Sequence, residues 1–361
     1  MVCGAVGALA KVALKKNGNA WGGAAATLGA NDRLPFSAEG LGHEDENFES
    51  RQITGTVWRG RPIRVAERIA GELAMEADYD YLLRALALAM GTNTPTTLES
   101  GVRYRHQLDL DDDLCGIYAT LGVDRVADHL VSPSPSSAYV YDFAKLNGFA
   151  LRYSAGEPMV AAFPVLVRDE DTGNTSAAWT YESEDPAFVP KPILFSHGVL
   201  RVMERDDTGT LDTSPDPIIL RPVTFGLVCE RKLAGATIQD RFIAEPSFTD
   251  FPQVDLTCEF DEMDQELWDL FVQNKKDETA LKLDFVFTGP ALGSGFHVLK
   301  IEVPSLYLMR AEPQVREPGK IPLPLEGRCE PSDGTSITGM TGIEAPVRIT
   351  IDNAISANPL A

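Results

Sequence analysis

The stretch IAGELAMEADYDYLLRALALAMG, residues 69–91, changes its hydrophobic rhythm partway along, and the reading of the fold starts there. Leu73 and Met75 stand two apart, with Gly71 before them and Ala74 and Glu76 on the other side, the alternation of a half-buried strand. From Tyr79 the period lengthens: Tyr79, Leu82, Leu83, Leu86 and Met90 recur at helical spacing and form one apolar stripe. Asp78 is placed to cap the first turn and Gly91 to end the last. The pattern predicts a strand that runs directly into a short amphipathic helix.

A second stretch, VDLTCEFDEMDQELWDLFVQN at 254–274, repeats it. Leu256 and Cys258 restore the strand, Glu259 answers Glu76, Asp261 answers Asp78, and Leu267, Leu270 and Phe271 resume the helical stripe after a two-residue insertion. The same order of strand, acidic joint and helix at a separation of about half the chain is the sign of an internal duplication.

Alternating runs fill much of the remainder. Phe149, Leu151 and Tyr153, then 159–167, with SAGEP between them, read as an antiparallel hairpin. The run from His197 to Leu233 reads as a meander of three short strands. Leu281, Leu283, Phe285 and Phe287 face a core, and Lys282, Asp284 and Val286 face mostly water; Leu299, Ile301 and Val303 repeat the pattern against Val298, Lys300 and Glu302. Val347, Ile349 and Ile351 make one more strand, docked on the body or paired with another subunit. LCGIYATLGVDRVADHLV, residues 114–131, reads as a further helix. The Gly- and Ala-rich start reads as an arm laid on something larger rather than as core, and ESEDPAFVPKP at 182–192 as the linker between halves.

Composition removes whole classes of function. The chain has 361 residues, 44% of them hydrophobic, enough for two cores. A formal net charge of -21 argues against a surface of the kind that neutralises nucleic-acid phosphates. Five cysteines, at 3, 115, 229, 258 and 329, follow no pairing or zinc spacing and read as reduced thiols. No apolar run is long enough to span a bilayer and the N-terminus lacks the charge order of a secretory signal, so the expectation is a soluble, unexported protein without a membrane role.

Candidate catalytic and ligand-binding motifs fall away individually. DEDTGN at 169–174 begins like a calcium loop, but Asn174 stands where Gly is needed and Thr180 where the bidentate Glu belongs, so it reads as a turn. His43 has acidic neighbours and no second His at ligand spacing. GPALGSG at 289–295 joins two strands instead of opening a helix. The expectation is no enzyme, no metal and no cofactor. One basic and aromatic cluster stands out on this acidic chain: Trp58, Arg59, Arg61 and Arg64 are the expected contact with a neighbouring subunit.

The order of these elements resembles that of major tail tube proteins of long-tailed, siphovirus-like bacteriophages. LPFSAEGLGHEDENFESRQI, VAERIAGELAMEADYDYLLRALALAMG, GFALRYSAGEPMVAAFPVLVRD, IILRPVTFGLVCERKL, VDLTCEFDEMDQELWDLF and VLKIEVPSLYLMRAEPQV carry the resemblance, which spans about 34–330. It implies an α+β, mainly β fold with two tandem β-sandwich or barrel domains, each flanked by a short helix. The expected divisions are an arm at 1–33, a first tube-like domain at 34–190, a second at 191–330 and a tail at 331–361. It further implies stacked rings of the chain with itself, a tape-measure protein inside, terminator and tip proteins at the ends, and DNA passing through without specific binding. The expected location is the virion tail, assembled in the host cytoplasm. Two strand-helix units in one chain favour a trimeric pseudo-hexamer over a hexamer for each ring. The alternatives are another virion component such as a tail terminator or decoration protein, a two-domain adhesin- or lectin-like binding module, and a hydrolase using acidic pairs.

Overall fold

In the computed structural model the elements follow one another as β1 (Lys11–Lys16), β2 (Arg33–Leu34), β3 (Ala38–Glu39), β4 (Gly42–His43), the hairpin β5 (Glu46–Phe48) and β6 (Ile63–Ala66), and β7 (Ile69–Glu76). Helix α1 (Leu82–Met90) leads to the hairpin β8 (Thr94–Glu99) and β9 (Arg103–Asp109), then β10 (Ala119–Asp124), β11 (Ala138–Leu146), β12 (Gly148–Ser154) and β13 (Val160–Asn174). The second half runs β14 (Gly198–Glu204), β15 (Ile218–Leu220), β16 (Thr224–Glu230), the hairpin β17 (Leu233–Ala234) and β18 (Ser247–Phe248), and β19 (Gln253–Phe260). Helix α2 follows, composed of Gln265–Leu267, a π-helical turn Trp268–Gln273 and Asn274–Lys276, and then β20 (Leu281–Leu292), β21 (Gly295–Ala311), β22 (Leu323–Glu330) and β23 (Arg348–Asn353). The structure describes residues 10–44, 46–48, 63–125, 138–181, 189–212, 218–235, 242–263, 265–313, 315, 320–332 and 337–361, with 46–48, 63–66 and 173 described by their backbone alone.

The strand pairings of the first half recur in the second. β1 pairs with β2 and β10, as β14 pairs with β15 and β20. β10 pairs with β11, as β20 pairs with the first part of β21. β7 lies between β3/β4 and β13, as β19 lies between β16 and β22. β12, which continues β11 after one residue, pairs with β13, as the second part of β21 pairs with β22. Each copy has its helix after the same strand and a small hairpin, β5–β6 or β17–β18, at the same point in the order.

Because β12 also pairs with β16, the two copies share one antiparallel sheet in the order β3/β4, β7, β13, β12, β16, β19, β22, β21. Its inner face packs on the shorter layers. Where the copies meet, Tyr153 of β12 and Phe225 of β16 pack on Phe285 and Phe287 of β20, with Phe225 and Phe285 edge to face at 4.8 Å. Two elements stand outside the repeat: the β8–β9 hairpin, and β23, which lies between β9 and β21. The C-terminal strand predicted at 347–351 is therefore docked within its own chain, with Val347, Ile349 and Ile351 buried.

Strand β7 follows the predicted period, whereas α1 begins at Leu82 rather than Tyr79 and is buried on nearly every side rather than amphipathic. Ile69, Leu73 and Met75 are buried, as are all residues of α1 except Arg84, and Gly91 ends the helix at φ 95° with its N–H on Ala87 O. Asp78 acts just before the helix: its Oδ1 accepts the N–H groups of Asp80 and Tyr81, and its Oδ2 that of Lys191. Asp261 does not repeat this role, being exposed and paired with Lys320 at 2.6 Å. The π turn in α2 takes up the altered spacing and keeps Leu267, Leu270 and Phe271 on the core.

Four expectations are corrected. Residues 119–124, predicted helical, form β10 between β1 and β11, and all six are buried: Ala119, Leu121 and Val123 face the main core, while Thr120, Gly122 and Asp124 are covered by Ala26, by Leu28 and Trp179, and by Ser176. The arm is part of the core: Val12, Ala13 and Leu14 are buried in β1, and Trp21 packs edge-on to Tyr118. Residues 169–174 continue strand β13 against β11 rather than turning. Lys282 and Asp284 do not face water. Lys282 Nζ donates to the carbonyls of Asp207, Gly209 and Thr338, and Asp284 accepts from Arg201, because Leu211, Ile337, Met340 and Ile343 build a second small core over that face.

Candidate functional site

Pleating sends alternate side chains of the long sheet to its outer face, and that face is acidic. Glu72 and Glu76 of β7 begin it, Asp255 and Glu259 of β19 continue it, and Glu326 and Glu330 of β22 follow, while Arg152, Arg310 and Arg328 supply cations. Register places these groups side by side: Glu76 lies opposite Val160, Val160 opposite Arg152, Asp255 opposite Arg328 and Thr257 opposite Glu326. Arg328 Nε reaches Asp255 at 3.4 Å and Arg310 reaches Glu326 at 2.9 Å. These exposed pairs hold side chains in place and contribute little stability. The signal was present in the sequence as acids at alternate positions of β7, β19 and β22, but only register joins them into a wall.

The sheet ends in two strand edges that pair with nothing further among the described residues. From Tyr307 onward β21 pairs with β22 alone, and Tyr307 and Met309 are 39% and 61% exposed. At the other end β3 and β4 pair only with β7. Unpaired edges present ready backbone donors and acceptors to another chain. Eight alternating positions make the two edges run in opposite senses, the relation that an antiparallel pair requires.

Of the predicted contact residues, Trp58, Arg59 and Arg61 lie outside the described residues. Arg64 sits on β6 opposite Asn47 of β5, and its side chain is likewise outside them. His43 lies against Glu170 at 2.8 Å and Glu67 at 3.6 Å. Among the described residues no cluster of His, Cys, Asp and Glu is placed to hold a metal ion, and no helix is long and apolar enough to cross a membrane.

A second acidic group sits where β11 meets β13. Asp142 lies opposite Asp169, and burial together with the charges of Asp169 and Asp171 raises its carboxyl to about 6. A raised carboxyl favours the folded state while it is protonated, and that contribution is lost as pH rises through about 6. Asp142→Asn is expected to stabilise the chain by about 1–2 kcal/mol above pH 7 and to change little below pH 4, after discounting for solvent screening. Thermal melts at both pH values check this; equal gains at the two would mean that repulsion is not the cause.

Fold and surfaces together present an acidic sheet face bounded by two strand edges that pair no further among the described residues. A family model described as phage tail tube protein matches residues 7–329, nearly the whole chain and including the arm, and the chain belongs to that family of structural virion components. No curated protein is similar enough to the chain to count as a match.

Proposed function

We propose that three copies of the chain close into a ring whose inner wall is the long acidic sheet, that rings stack into the tail tube around a tape-measure protein, and that the genome leaves through the lumen. One observation carries this reading: a single antiparallel sheet built from two copies of the same four-strand pattern and ending in two unpaired, oppositely directed edges. Three chains give a barrel of about 24 strands, and at about 4.8 Å per strand with the usual tilt its backbone diameter is about 40–50 Å. That leaves an aqueous channel wide enough for a DNA duplex. Carboxylates repel phosphates across a Debye length of about 8 Å, so the duplex slides without adhering.

The two copies then occupy alternate positions of a pseudo-sixfold ring. Averaged end-on views of tubes formed by the purified chain are expected to show three subunits per ring. Six full chains per ring would overturn the trimer and leave only half of the sheet for the wall.

A further inference from the structure

The two copies differ in one place that their shared topology makes conspicuous. In the first, the space between the helix and the leading strands is closed. Arg84 of α1 donates to Leu14 O of β1 at 3.1 Å, Ile355 and Leu360 from the C-terminus pack against the core there, and only about 30 Å³ remains. In the second, α2 packs chiefly on β21 and stands away from β14 and β15, leaving an open groove of about 620 Å³.

The groove has a definite chemistry. Val202, Met203, Ile218 and Leu270 form an apolar floor. Around it stand Glu204, Asp207, Glu266 and Asp269, all exposed, and no Lys, Arg or His lines it among the described residues. A ligand for this surface carries an apolar or aromatic anchor among cationic groups. The larger cavity of about 870 Å³ is a poorer seat, because Arg231 and Arg328 line it and its Asp109 already accepts from Nε and Nη2 of Arg348.

We propose that this groove receives residues 49–62 of a second copy of the chain, the loop between β5 and β6, with Trp58 on the floor and Arg59 and Arg61 on the acidic rim. The proposal rests on the tail-tube reading. The loop's sequence, ESRQITGTVWRGRP, supplies the matching charge and the anchor, and a hairpin loop of that length extends up to about 20 Å beyond its strands. The contact is head to tail: made around a ring it closes with the ring, and made between rings it continues along the tube. It also explains why the helix of the second copy keeps an exposed polar face where α1 has almost none.

Cross-linking between distinguishable chains tests it. In a Cys3→Ser, Cys115→Ser background, one chain carries Arg59→Cys and the other Glu266→Cys. Oxidised tubes from the mixture are expected to yield covalent dimers at least tenfold above either chain alone. Tubes that form normally without that dimer overturn the docking while leaving the tail-tube reading intact. A chain carrying both cysteines that cross-links only within itself also overturns it, as does capture of Glu266→Cys by Cys3 in a chain that retains it, which would assign the groove to the N-terminus. Chains that stay monomeric in light scattering and form no tubes remove both readings. Charge exchange gives the independent measurement: Arg59→Glu with Arg61→Glu, or Glu266→Arg with Asp269→Arg, is expected to abolish tubes, and the four changes together to restore them.

Discussion

Arg231→Met is expected to lower the stability of the chain by about 3–4 kcal/mol, the largest loss from any single substitution considered. Arg231 is 1% exposed, and its guanidinium donates to three backbone carbonyls, those of Ala89, Met90 and Asp111. Two of these close the C-terminus of α1, where carbonyls lack helical partners and the helix dipole favours a cation. Burial lowers the affinity of Arg231 for its proton, yet arginine keeps its charge and serves as a permanent donor. Methionine fills the volume and takes the guanidinium donor from the carbonyls of Ala89 and Asp111, while Met90 O keeps the N–H of Asp111. Arg231→Lys is expected to recover part of the loss, since a single ammonium cannot reproduce the fork. Urea denaturation followed by circular dichroism measures both; a loss below about 1 kcal/mol for Arg231→Met would show that water replaces the guanidinium.

Arg231 also shows what the sequence conceals. It follows β16 in the second copy and caps the helix of the first, a contact 141 residues long in sequence that no local pattern encodes. The duplication itself was legible, because strand and helix periods are local and were repeated at 69–91 and 254–274. Strands covered on both faces were harder to read: the second face of β10 lies under Leu28 and Trp179, and β20 has an alternation whose charged side proved to be covered. Lys282 and Asp284 look solvent-facing until the carbonyls and Arg201 that satisfy them are seen. The acidic wall was half legible. Glu76 and Glu259 were visible as matched joint residues, but only β12, paired with β13 on one side and β16 on the other, places them on one face.

If that face lines the channel, reversing its charge converts a surface that repels DNA into one that retains it. Replacing Glu72, Glu76, Glu259 and Glu326 by Lys changes exposed or half-exposed side chains on the outer face, away from the apolar layer formed by Leu73, Leu256 and Leu325. Tubes are therefore expected to form as before. Each new lysine adds a phosphate contact with counterion release, so affinity for duplex DNA is expected to rise at least about 100-fold at low salt and to fall steeply as salt is added. Co-sedimentation of short duplexes with tubes, followed by nuclease digestion, separates the lumen from the exterior: DNA held inside is protected and DNA on the outside is cut. Protected DNA in the reversed tubes and none in the parent is the expected result. Bound but fully digestible DNA would put this sheet on the outside of the tube, and the channel would then have to be lined by the layer containing β14, β20 and β23 instead.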